Sequence, residues 1–163
     1  MRLAPKLSCV TALVVAAVAG AATAAGAAGP AAQQVDGSLT VLGVTCAWAD
    51  AATSADPPST LTIDRASVNS GVSCGGGASA TLNNDPTLTF DESGATATSD
   101  LIDITVNQSI VSCSYQASDA GWTGDGSTGA YQNQAFTASK TSGSFLCPSS
   151  VALDAGAVSL TFH

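Results

Sequence analysis

Four cysteines, one histidine and one glycine-rich stretch with two aromatics are the residues of this 163-residue chain on which chemistry could rest. Cys46, Cys74, Cys113 and Cys147 follow the N-terminal segment; a fifth, Cys9, lies inside it. A thiol acts as a nucleophile beside a base, as a metal ligand among other ligands, and as a staple with a partner thiol. His163, the sole imidazole, is the last residue of the sequence. No GxSxG, HExxH, CxxC or GxxxxGK pattern occurs. The glycines of "CGGG" (74–77) are not followed by a lysine, so they make a poor phosphate cradle. Asp91 and Glu92 are adjacent and would point to opposite faces of a strand, which is wrong for a pair of catalytic carboxylates. No catalytic residue, cofactor or metal site is assigned.

The stretch "SDAGWTGDGSTGAY" (118–131) is the candidate contact loop. Trp122 stands among glycines, with Asp119 and Asp125 nearby and Tyr131 at the far end. Loop aromatics stack on sugars or anchor a protein partner. The competing reading is a wide hairpin whose tryptophan folds back over the core. A Ca²⁺ loop is disfavoured because D-x-[DN]-x-[DN]-G is absent. "NQS" (107–109) fits an N-glycosylation acceptor in a host that glycosylates.

The segment that precedes these residues reads as an export signal. Arg2 and Lys6 open it, the apolar run "VTALVVAAVAGAA" (10–22) follows, and small residues offer cleavage sites. Residues 1–27 are therefore expected as signal peptide and cleavage region, 28–37 as a flexible tether, and 38–163 as a single β domain. The full chain carries a formal charge of −8. Without Arg2 and Lys6, Arg65 and Lys140 face twelve acids, a formal charge of −10. So few cations exclude phosphate tracking along nucleic acid, and anionic membranes would repel the chain. No membrane span is expected after signal cleavage.

An even set of four cysteines in an exported chain reads as two disulfides. Counting leaves three pairings open. An internal echo selects one: "VTCAW" (44–48) matches "VSCSY" (111–115), and "SVNSGVSC" (67–74) matches "ASKTSGSFLC" (138–147). Two related halves, 38–106 and 107–163, would pair Cys46 with Cys74 and Cys113 with Cys147.

Alternating segments recur at short intervals. "TLTID" (60–64) and "TLTF" (87–90) place Leu61, Ile63, Leu88 and Phe90 inward. "LIDITVN" (101–107) does so for Ile102, Ile104 and Val106, and "AVSLTFH" (157–163) for Val158, Leu160 and Phe162. In "SLTVLGVTCAW" (38–48) the apolar parity shifts near Gly43, which suggests a bulge or bend. No amphipathic helix is expected after the signal. The pattern predicts an all-β fold, an antiparallel immunoglobulin-like sandwich or barrel with two disulfides.

Two resemblances accompany this reading. The export signal, the four cysteines and "FLCPSSVALDA" (145–155) resemble small secreted actinobacterial proteins of unassigned function. "CAWAD" (46–50) is similar to a stretch in the neocarzinostatin-type enediyne-binding apoproteins, which implies an acidic, exported, two-disulfide sandwich. The functional expectation is a secreted or cell-surface, non-enzymatic binding or structural module. The alternative is a carrier of a small apolar ligand, and an extracellular hydrolase is third. The partner would be an extracellular protein, a glycan or a small apolar ligand.

Overall fold

The computed structural model describes residues 33–91, 93–125 and 128–163. The expected signal peptide and tether residues 28–32 lie outside the described residues. Residues 31–163 form one compact unit.

The chain is mostly strand. β1 (Gln34–Val41) and β2 (Val44–Ala52) form the first hairpin. β3 (Leu61–Thr62), helix α1 (Arg65–Gly71), β4 (Ser73–Cys74), β5 (Ala78–Leu82) and β6 (Thr87–Phe90) follow. Two long strands come next, β7 (Thr96–Gln108) and β8 (Val111–Gly124). The chain ends with β9 (Ala130–Asn133), β10 (Phe136–Gly143), β11 (Ser150–Leu153) and β12 (Val158–Phe162).

These strands build one curled antiparallel sheet in the order β3-β6-β7-β8-β9-β12-β1-β2-β4. The long β7–β8 hairpin is its spine, and each of its strands serves two neighbours. The first half of β7 pairs with β6 and its second half with β5. The first half of β8 pairs with β10 and its last residues with β9. The curl brings the end of β2 back to β3. Thr53 bridges Ile63, Ser54 N–H donates to Thr62 C=O at 3.0 Å, and Asp64 N–H donates to Ala52 C=O at 2.9 Å.

Several local features depart from the expectations. Residues 34–37, expected in the tether, are strand, and Val35 is fully buried. The parity shift near Gly43 is a tight turn rather than a bulge. Leu42 (φ 51°) and Gly43 (φ 77°) both adopt the left-handed conformation that a two-residue hairpin with matching twist requires. Helix α1 was not expected. Its N-cap, Asp64, accepts from the backbone N–H groups of Ala66 and Ser67, which satisfies two of the helix's free donors. The boundary drawn between the two halves falls inside β7.

The concave face of the curl holds the core. Leu61, Leu88, Tyr115, Trp122, Tyr131 and Leu160 are all buried there. Phe90, Tyr131 and Phe162 meet edge to face, with ring centroids 5.3–6.1 Å apart. The disulfides are Cys46–Cys74 and Cys113–Cys147, as the internal echo suggests. They span 28 and 34 residues. Loops of that length stabilise by roughly 3–4 kcal/mol each in the chain-entropy treatment. The double variant Cys113→Ala/Cys147→Ala is therefore expected to lose about 3–4 kcal/mol in denaturant unfolding. An unchanged unfolding midpoint would show that this bridge does not hold the fold.

Candidate functional site

The residues singled out in 118–131 do not form a contact loop. Trp122 lies within β8 and Tyr131 within β9, and they are 3% and 2% exposed. Trp122 Nε1 donates to the buried Ser99 Oγ at 3.4 Å, and Tyr131 OH donates to Gly94 C=O at 2.7 Å. Burial, reinforced by the charges of Asp91 and Asp125, pushes the Tyr131 phenol above its ordinary pKa. Asp119 and Asp125 are at the surface. Asp125 accepts from the N–H and hydroxyl of Thr128, at 2.8 and 2.6 Å. The hairpin reading, with its tryptophan turned over the core, describes this segment.

Other acids also serve the backbone. Asp91 accepts from Ser93 Oγ and Thr96 N–H, and these bonds hold its carboxyl below the usual carboxylate range. Asp100 accepts from the N–H groups of Thr87 and Leu101, led by Thr87, with the same effect. Carboxylates held ionised by main-chain donors are poorly suited to give up a proton as a general acid.

The interior of the curl contains a cavity of about 100 Å³. Ile63, just after β3, and Leu88, Ile104, Phe136 and Leu160, from β6, β7, β10 and β12, supply much of its wall. No side chain in the lining carries a charge. Its polar members are few and mostly occupied. Ser99 accepts from Trp122, and the Asn69 amide makes two bonds of 2.8 Å with the backbone of Leu82. Tyr115 OH donates to Pro148 C=O at 3.3 Å, and burial raises its pKa.

Trp48 is the exception. It borders the cavity, and its Nε1 is buried without a hydrogen-bond partner. An orphaned buried donor costs about 1–3 kcal/mol, so it calls for an explanation. The ring is seated by Gly37, its cross-strand partner on β1. A Cβ at Gly37 would overlap the indole.

A surface cluster also forms that the sequence pattern did not flag. Asp36, Asp50 and His163 place their ligand atoms within 4.8 Å of one another. Asp50 N–H donates to Asp36 Oδ1 at 2.8 Å, and His163 Nε2 lies 3.4 Å from Asp50 Oδ1. His163 is held by a reciprocal pair of main-chain bonds with Gln34. Both the Asp50 and His163 side chains are exposed.

Comparison of the chain with family models, curated proteins and solved structures finds no match.

The cavity wall depends on the Gly37–Trp48 contact. Gly37→Ala should displace the indole and cost about 1–3 kcal/mol, the range for overpacking a filled site. The check is denaturant unfolding. Full retention of stability would show that the indole is not held there.

Proposed function

We propose that the protein is a non-enzymatic binding module that carries a small, neutral, largely apolar ligand inside its curled sheet. The supporting observation is the uncharged cavity lined by apolar side chains. This favours the carrier over a purely structural module. The hydrolase reading gains nothing from a lining without a charged or imidazole side chain. The cavity is smaller than the roughly 150 Å³ void that accepts benzene, so a single small ring would need the wall to open slightly.

We further propose that the curled sheet is an immunoglobulin-like sandwich or barrel behind a signal peptide, in a secreted or cell-surface protein. Two disulfides fit an oxidising compartment. No helix among the described residues is long and apolar enough to cross a membrane.

The test is a thermal-shift series with small rings, for example benzene against cyclohexanone. Saturating ligand at 100 times Kd stabilises by about 2.7 kcal/mol. Both rings are expected to raise the melting temperature. Ala117→Leu, which fills the cavity, should abolish both shifts. Shifts that persist in Ala117→Leu, or none in the wild type, would refute the carrier.

A further inference from the structure

We propose that the end of the molecule carrying the β1–β2 and β7–β8 turns is a docking surface for a zwitterionic phospholipid interface. The fold places four chain connections side by side there. Residues 42–43 join β1 to β2, 75–77 join β4 to β5, 109–110 join β7 to β8, and 144–149 join β10 to β11. They are linked in turn. Gly75 N–H donates to Thr45 C=O at 3.0 Å, Ala78 pairs with Gln108, and Ser144 N–H donates to Ser112 C=O at 2.9 Å.

The large apolar side chains that stand exposed among the described residues all lie on three of these connections. Leu42 is 50% exposed, Ile110 97%, Phe145 91% and Leu146 61%. Such side chains stand clear of their own protein. A rigid partner would need a matching socket for each, whereas a lipid interface yields around them and needs no shape complementarity.

Charge points to the same medium. The segments 41–49, 72–82, 104–118 and 140–153, which contain the four connections and their strand ends, hold no aspartate or glutamate. Their single charged residue is Lys140, whose Nζ donates to Cys147 C=O at 3.4 Å. In a chain so rich in acids, these segments offer headgroup phosphates no carboxylate to repel them and one ammonium to attract them. The acidic remainder disfavours an anionic bilayer, which is why the zwitterionic one is named.

The tips are also held in place. Cys46–Cys74 ties the β1–β2 hairpin to the β4–β5 connection, and Cys113–Cys147 ties the start of β8 to the β10–β11 connection. Little ordering remains to be done when the surface meets lipid.

The experiment is co-sedimentation of residues 31–163, a compact unit with both disulfides, with phosphatidylcholine vesicles. A few exposed apolar side chains should bind about as weakly as a single acyl chain, for which roughly 0.1 mM lipid gives half-binding. The double variant Ile110→Ser/Phe145→Ser should lower the bound fraction at least five-fold. Leu146→Ser should lower it less. Because these side chains are exposed, all variants should melt with the wild type. Vesicles with added phosphatidylglycerol should bind less protein. Failure of the wild type to sediment, or equal sedimentation of the double variant, would overturn the proposal. So would self-association in lipid-free buffer that the double variant abolishes, because the surface would then pair two copies of the chain.

Discussion

The β7–β8 hairpin must face one interior along its whole length while its two halves pair with different neighbours. A regular pleat would keep one parity of side chains inward throughout. Here both strands change parity at the same level. On β7, Ala97 and Ser99 are buried, and then the inward set becomes Ile102, Ile104 and Val106. On β8, Cys113, Tyr115 and Ala117 face in, and then Ala120 and Trp122 do. The cross-strand register is the same on both sides of this level, Ser99↔Ala120 and Leu101↔Ser118, and Asp119 between them takes the left-handed conformation, at φ 53°. Asp100 braces the same level by accepting two backbone N–H groups. Aspartate tolerates positive φ better than most side chains, so the shift can sit in mid-strand at modest cost.

The rest of the architecture follows from that shift. Trp122 turns inward, meets Ser99, and becomes part of the cavity wall. Beyond it, β8 pairs with β9, which carries Tyr131 into the aromatic cluster with Phe90 and Phe162. Asn133, at the end of β9, is 2% exposed and fully bonded. Its amide donates to Gln134 and Asp154 carbonyls and accepts from Val158 N–H, which joins β9 to the β11–β12 turn. The interior is thus lined by apolar groups and satisfied amides, with the acids kept out of it and several of them accepting from the backbone. A charge placed inside it would be desolvated without a partner.

Much of this was legible in the sequence. The strands with clean alternation, such as 101–107 and 157–163, point their apolar residues inward as their period of two dictates. The disulfide pairing was legible because the cysteine–aromatic echo recurs in both halves. What escaped had physical causes. Trp122 resembled a loop residue because glycines surround it and because the parity shift at Asp119 leaves no periodic signature. Helix α1 is too short, at seven residues, to show an apolar stripe. The cavity, the Gly37–Trp48 contact and the Asp36–Asp50–His163 cluster join residues distant in sequence, whose proximity arises from strand order alone.

A dry, accessible void in the interior is the central feature of the molecule, and xenon reports on it directly. Apolar cavities of this kind take up the gas without any specific chemistry. A crystal of residues 31–163 pressurised with xenon should show a single strong site among Leu88, Ile104, Trp122 and Leu160. Ordered water there, or side chains that fill the space and exclude xenon, would contradict it.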